Sequence, residues 1–214
     1  RMVIEMGAHH IGVPYGKIKR TPGQLTNEKE KEIFEGVQPE AVKVGLTVAY
    51  DIDEITENLE FVLPDILHLS GDIEGITPEN VQVLKDRFPG LKIMQALPVY
   101  PNVPLDEQKA FDLVKRYEET TDFWLIDTKV VGSTDIGATV THDLEVDKAI
   151  IESTSKPCII AGGLDASNVA HAIRVTNPYG VDSFSLTNFD HPEPGKGIKD
   201  PVKCKAFIEA ALNA

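Results

Sequence analysis

The residue best suited to acid–base chemistry is Asp127, which lies near the end of the apolar run FWLIDT at residues 123–128. A carboxylate that follows a buried strand is partly desolvated, and desolvation raises its pKa toward the range that suits a general acid at neutral pH. The alternative is a structural carboxylate that caps a helix or forms an ion pair in a loop. Position alone leaves both roles open.

A second group of residues is typical of phosphate binding. Gly162 and Gly163 end the apolar run at residues 157–163, and glycines allow backbone N–H groups to approach an anion closely. The next apolar run is followed by the hydroxyl-bearing residues Ser185 and Thr187, which would complete a phosphate cup. The alternatives are a tight turn that needs glycine and ordinary polar groups of a loop.

Three other side chains are candidates for substrate binding. Arg20 follows the run HHIGVPY, and its guanidinium group suits bidentate pairing with a substrate carboxylate. His68 and Ser70 alternate along one strand, so they point to the same face. The plainer alternatives are a solvated surface charge for Arg20 and a core histidine for His68.

Composition excludes several classes of partner. The net charge of −13, from 21 basic and 34 acidic residues, argues against binding to nucleic acid or to an anionic membrane. The apolar runs are far shorter than the roughly 20 residues of a membrane span. Cys158 and Cys204 lack zinc-site spacing, and the adjacent His9 and His10 point to opposite faces, so no metal site is predicted. We expect a small-molecule partner and a reducing cytoplasm.

The elements that position these residues follow a repeating pattern. Helical patterns with start signals at Thr26, Thr77, Asp106 and Asp165 alternate with short apolar runs. The runs lie at residues 9–15, 41–49, 66–71, 92–99, 123–128, 157–163 and 180–187. This alternation is typical of parallel α/β folds, either a (β/α)8 barrel or an open doubly wound sheet.

The barrel is the architecture that we predict, as a single domain over residues 1–214. A closed barrel has eight strands, and the segment MVIEMG at the start resembles the last turn of a helix. We therefore expect the first strand of the barrel to be absent from this sequence.

Several segments resemble phosphoribosylanthranilate isomerases. LIDTKVVG, KPCIIAGGLDASNVAHAIRVTNPYGVDSFS and PGKGIKDPVKCKAFIEA resemble the second half of that family, and GAHHIG, KVGLTV and LHLSGDI resemble its first half. The resemblance implies a (β/α)8 barrel without a cofactor. It also implies the Amadori rearrangement of N-(5′-phosphoribosyl)anthranilate, a small phosphorylated substrate, in tryptophan biosynthesis.

The resemblance further assigns roles to particular residues. It implies that Asp127 protonates the furanose ring oxygen and that Asp182 is a supporting carboxylate. It also implies that the amides of Gly162 and Gly163 and the region of Ser185 bind phosphate. Arg20 falls where the substrate-binding arginine of the family is expected.

The sequence also departs from the family pattern. The family's general base is a cysteine in a K-I-C-G segment of the first strand, and neither Cys158 nor Cys204 corresponds to it. The family's HGD is Ser70-Gly71-Asp72 here, and a glycine of its S-S-G segment is replaced by a bulkier residue.

Two alternative functions therefore stay open beside the isomerase. One is a divergent barrel that acts on another phosphorylated sugar or metabolite, with His68, Ser70 or Lys129 in place of the missing base. The other is a non-catalytic barrel that binds such a metabolite or a protein partner. Both a monomer and a homodimer fit the charge and the apolar helix faces.

Overall fold

The computed structural model describes residues 1–16, 25–37, 40–101, 103–128, 143–190 and 197–214. The candidates Arg20 and Lys129 lie outside these residues. Within them, no helix has the length and apolar character that a membrane span requires.

In the described residues, seven parallel strands form one sheet, in which the strand order follows the chain order. The strands are β1 His10–Pro14, β2 Val42–Thr47, β3 Ile66–Leu69, β4 Lys92–Val99, β5 Phe123–Thr128, β6 Cys158–Ala161 and β7 Gly180–Val181. The helices are α1 Met2–Glu5, α2 Asn27–Glu35, α3 Ile52–Phe61, α4 Pro78–Arg87, α5 Ala110–Tyr117, α6 Leu144–Glu152, α7 Val169–Thr176 and α8 Pro201–Leu212. The order of these elements confirms the predicted strand–helix repeat. Parallel neighbouring strands need a crossover connection, which is usually a helix.

Two of the predicted helix starts are confirmed. Thr26 caps α2 by accepting a hydrogen bond from the Lys29 N–H, and Thr77 caps α4 in the same way. The start at Asp106 is wrong, because a 3-10 turn at Leu105–Glu107 precedes α5. Asp165 likewise caps only a turn through the Ser167 N–H, and α7 begins after it.

The strand predicted at residues 180–187 is much shorter than expected. β7 ends at Val181, and Ser185–Thr187 form a 3-10 helix instead. The Thr187 hydroxyl donates toward the carbonyls of Ser183 and Phe184, at 3.1 Å each. Such local side-chain bonds to the backbone compete with a strand ladder.

The chain forms two compact units. Unit 1 comprises Arg1–Ala96 and Glu119–Phe123, and unit 2 comprises Leu97–Glu118 and Trp124–Ala214. The prediction of a single domain over residues 1–214 stays a prediction.

Each unit has its own apolar core on the side of the sheet that faces the helices. In unit 1, Leu67 and Leu69 of β3 pack in a core with Leu84 of α4. In unit 2, Ile160 of β6 packs with Phe207 of α8. Because side chains alternate along a strand, the residues between these core positions point to the opposite face of the sheet.

Candidate functional site

Asp127 and Asp182 lie on the face of the sheet opposite the helices, at the carboxyl ends of β5 and β7. Asp127 is in register with Ala161, and the Asp182 N–H donates to the Ile160 carbonyl. Ile160 and Val181 belong to the helix-facing core, so Ala161 and Asp182 point to the other face. One strand separates the two aspartates, which places their backbones about 10 Å apart at the usual strand spacing.

The loop after β6 approaches Asp127 closely at Gly162. A Cβ atom on Gly162 would lie 3.2 Å from the Asp127 Oδ1 and 3.2 Å from the Thr128 backbone nitrogen. Gly162 and Gly163 both have positive φ angles, +96° and +61°. A side chain at residue 162 would therefore be strained and would displace the partly buried Asp127 carboxylate.

Side-chain hydrogen bonds fix the shape of this loop. The Asn168 Nδ2 donates to the Gly163 carbonyl at 2.8 Å, and the Asn168 Oδ1 accepts from the Asp165 N–H at 2.9 Å. The Ser183 hydroxyl donates to the Leu164 carbonyl at 2.7 Å, which joins this loop to the residues that follow β7. The two predicted phosphate-binding segments of unit 2 are thus held next to each other.

Asp182 combines solvent access with a desolvating environment. Part of its surface is exposed, yet the surrounding protein raises the pKa of its carboxyl group by desolvation. The positive charge of Lys199 and the Ser183 N–H act in the opposite direction. A carboxyl group with a raised pKa is a candidate for a functional role.

Lys199 is a residue of this site that the sequence analysis did not identify. Its Nζ donates to the carbonyls of Ser183 and Phe184 at 3.2 and 2.8 Å, and to the Thr187 hydroxyl at 2.8 Å. The segment GKGIKD contains no spacing that points to this contact. Lys199 lies directly before α8, which brings it back to the residues after β7.

The two hydroxyl candidates of this segment differ in position. Ser185 is half-buried in the 3-10 helix. Thr187 is buried, and its hydroxyl bonds to backbone carbonyls and to Lys199. Thr187 therefore supports the turn from within, and Ser185 is the hydroxyl of this segment that stays a candidate phosphate ligand.

In unit 1, His68 lies in β3, and Ser70 directly follows the last residue of that strand. His68 is 5% exposed, and it stands between the core residues Leu67 and Leu69, so it points to the opposite face. Ser70 is half-buried, and its backbone N–H donates to the Thr47 carbonyl at 2.8 Å. The backbone of Ser70 thus continues the ladder of β3, and the shared face of His68 and Ser70 stays a prediction.

Neither cysteine is placed to act as a base. Cys158 begins β6, three residues before Ala161, and burial raises the pKa of its thiol to about 12. Cys204 is buried in α8, and burial also raises the pKa of its thiol. Raised thiol pKa values leave little thiolate at neutral pH. Among the residues described, no His, Cys, Asp and Glu side chains form a group of three or more that suits a metal ion.

Comparisons with known proteins show which family this chain is similar to. A family profile described as N-(5'phosphoribosyl)anthranilate (PRA) isomerase matches residues 3–210. N-(5'-phosphoribosyl)anthranilate isomerase 2 of Methanosarcina mazei is 28% identical, over 99% of this chain and 88% of its own length. The isomerase of Parvibaculum lavamentivorans is 32% identical, over 99% of this chain and 91% of its own length.

A solved structure is similar as well. N-(5'-phosphoribosyl)anthranilate isomerase from Pyrococcus furiosus superposes with a TM-score of 0.76 at 26% sequence identity. The similarity covers 99% of this chain and 92% of that chain. The similarities in sequence and in structure thus extend over nearly the whole chain.

Proposed function

This chain belongs to the N-(5'-phosphoribosyl)anthranilate isomerase family, and from this premise we propose that it catalyses the Amadori rearrangement of N-(5'-phosphoribosyl)anthranilate in tryptophan biosynthesis. The observation that carries the proposal is the position of Asp127. It stands at the carboxyl end of β5, directly beside the Gly162 loop that resembles the family's phosphate-binding segment. Active sites of (β/α)8 enzymes lie at this end of the strands.

The reaction opens a ring and moves a proton. Asp127 donates its proton to the furanose ring oxygen, the C1–O bond breaks, and the lone pair of the amine nitrogen forms the C1=N bond of an iminium ion. Loss of the C2 proton to a base gives an enolamine, and its tautomerisation gives the aminoketose. The half-buried position of Asp127 suits proton donation, because water competes less for the acid there.

The phosphate group of the substrate binds in unit 2 at the carboxyl ends of the strands, the end at which Asp127 lies. Its oxygens accept hydrogen bonds from the backbone N–H groups of Gly162 and Gly163 and from the Ser185 region. The positive φ angles of both glycines support this role, because a backbone without side chains approaches phosphate closely. Asp182, at the end of β7, is the supporting carboxylate for Asp127 of β5. Direct substrate contacts of Arg20, His68 and Ser70 stay predictions.

The experiment that tests the proposal is a steady-state assay with freshly prepared N-(5'-phosphoribosyl)anthranilate, which follows the loss of anthranilate-type fluorescence. We expect Asp127→Asn to lower kcat by about 100-fold or more, because the amide N–H is far too weak an acid to protonate the ring oxygen. A substrate Kd close to that of the unchanged protein would show that the loss lies in the chemical step.

The matched control is Asp112→Asn, which removes an exposed carboxylate on α5 of the same unit. This variant should keep full turnover. A folded chain without turnover would contradict the proposed function. Turnover that survives Asp127→Asn would leave the isomerase reaction in place and remove Asp127 as its acid.

Two further parts of the proposal concern the environment of the protein. Cys158 and Cys204 are both buried and unpaired, which supports a reducing compartment, the cytoplasm. The partner is a small phosphorylated substrate, and the assembly is a monomer or a homodimer. Light scattering of the purified protein distinguishes the two.

A further inference from the structure

Lys199 is a charged side chain held against the backbone of the turn that follows β7. Its ammonium group donates to the Ser183 carbonyl, the Phe184 carbonyl and the Thr187 hydroxyl. The Nζ also lies 4.8 Å from the centre of the Phe184 ring. These contacts occupy the donors of the ammonium group with one short segment, residues 183–187.

The direction of these carbonyls determines where the neighbouring N–H groups point. In a trans peptide the C=O and the N–H point to opposite sides. Since the carbonyls of Ser183 and Phe184 both point at Lys199, the N–H groups of Phe184 and Ser185 point to the side of the turn away from it. Consecutive N–H groups on one side of a turn form an anion-binding concavity.

The charge of Lys199 strengthens this arrangement. A cation at the carbonyl end of a peptide group polarises it and makes its N–H a stronger donor. Asp182, Lys199 and Cys204 interact electrostatically, and burial lowers the pKa of Lys199 while the Asp182 carboxylate raises it. The ammonium group of Lys199 thus lies on the carbonyl side of this segment, and the two N–H groups point to the opposite side.

We propose that Lys199 is a positioning residue for the substrate phosphate: it holds the Ser183–Thr187 turn from behind, so that the N–H groups of Phe184 and Ser185 face the phosphate. This inference rests on the proposed function for the identity of the substrate. Lys199 does not itself touch the phosphate, since its donors point into the turn.

The chain offers a matched control in Lys203, one helical turn further along. Its Nζ also donates to a backbone carbonyl, that of Asn188 at 3.1 Å, and to the exposed carboxylate of Asp190 at 2.6 Å. Lys203 is half-buried like Lys199. Among the residues that the structure describes, these Lys203 bonds go to Asn188 and Asp190 and not to the Ser183–Thr187 turn, so a purely structural effect of losing a lysine here should be similar for both.

The experiment compares Lys199→Met, Lys199→Arg and Lys203→Met in two measurements: steady-state kinetics with N-(5'-phosphoribosyl)anthranilate and calorimetric binding of inorganic phosphate. We expect Lys199→Met to raise KM and the phosphate Kd by about tenfold, with a much smaller change in kcat, because it weakens bonds to a charged group. Lys199→Arg should recover most of the affinity, and Lys203→Met should match the unchanged protein.

Several results would overturn the inference. One is an unchanged KM and phosphate Kd in Lys199→Met, and another is an equal loss of affinity in Lys203→Met. A third is a chain that binds no phosphate before any substitution. If Lys199→Met does not fold, Lys199→Gln, which keeps an uncharged donor, is compared with Lys199→Arg, and equal phosphate affinities then contradict the role of the charge.

A different result would contradict the proposed function without deciding the role of Lys199. A chain that binds phosphate but does not turn over N-(5'-phosphoribosyl)anthranilate overturns that function. The phosphate affinities of the Lys199 and Lys203 variants still decide the role of Lys199.

Discussion

At the scale of single residues, the absence of a side chain at Gly162 leaves room for the carboxylate of Asp127, the proposed acid. Two effects oppose a side chain at residue 162: the positive φ of the backbone and the 3.2 Å approach to the Asp127 Oδ1. The first costs stability wherever it occurs, whereas the second acts locally, on the proposed acid and on the adjacent backbone of Thr128. A second glycine separates the two effects, because Gly90 has a φ of +95° and open space around it.

We predict that Gly162→Ala lowers kcat/KM by about tenfold or more, because a misplaced acid loses alignment with the ring oxygen. It should also destabilise the fold by about 1–2 kcal/mol through its left-handed backbone. Steady-state kinetics and thermal unfolding measure the two effects.

The control is Gly90→Ala, which carries the same backbone strain without the contact. It should lose a similar amount of stability and keep full activity. Equal activity of the two variants would show that the approach of residue 162 does not control Asp127.

At the scale of elements, α2 is attached to the end of β1 through a buried carboxylate. Glu30 is 1% exposed, and its Oε1 accepts from the Gly16 N–H at 3.1 Å. Its Oε2 is buried and has no hydrogen-bond partner among the residues that the structure describes. Desolvation raises the pKa of Glu30 from 4.5 to about 7.

The raised pKa makes the stability of this element depend on pH. The folded chain keeps a proton on Glu30 that the unfolded chain releases above a pKa of 4.5. The resulting stabilisation is fully present below that pKa and is lost as the pH rises through about 7. We therefore predict that Glu30→Gln, whose neutral side chain does not titrate, raises the free energy of unfolding near pH 8 by about 1–3 kcal/mol.

Denaturant unfolding at a series of pH values measures this effect. Glu35→Gln, an exposed substitution on the same helix, is the control and should leave the pH dependence unchanged. A Glu30→Gln variant that is less stable than the unchanged protein at about pH 8 would contradict the prediction.

At the scale of the whole molecule, the acidic charge dominates the electrostatics. The net charge of −13 makes the compact state repel itself. Ion pairs such as Lys29–Glu32 and Lys115–Asp112 are exposed, and exposed pairs contribute at most about 1 kcal/mol each. Screening by salt therefore weakens the repulsion more than it weakens the pairs.

We predict that raising NaCl from about 20 to about 200 mM increases the unfolding midpoint by about 2–4 °C, the shift that roughly 1 kcal/mol produces in a chain of this size. Thermal unfolding followed by circular dichroism measures it. The shift should shrink near the pI of about 4.8, where the net charge is small. A midpoint that falls with salt near neutral pH would show that the ion pairs outweigh the repulsion.

The sequence by itself determined the parallel strand–helix repeat, the caps at Thr26 and Thr77, and the family resemblance. These features depend on local patterns: alternating or continuous apolar runs, a hydroxyl before a helix, and short motifs. Prediction from the sequence was less reliable where local hydrogen bonds compete with regular secondary structure. The Thr187 hydroxyl turned the end of a predicted strand into a 3-10 helix, and Asp165 capped a turn rather than α7.

Only the tertiary structure decided which of the candidate residues lie near one another. The register of β5, β6 and β7 placed Asp127 and Asp182 on one face, and the return of the chain at α8 brought Lys199 behind the Ser183–Thr187 turn. Local sequence patterns do not encode these contacts. They arise because strand pairing and helix packing bring together residues that are far apart in the chain.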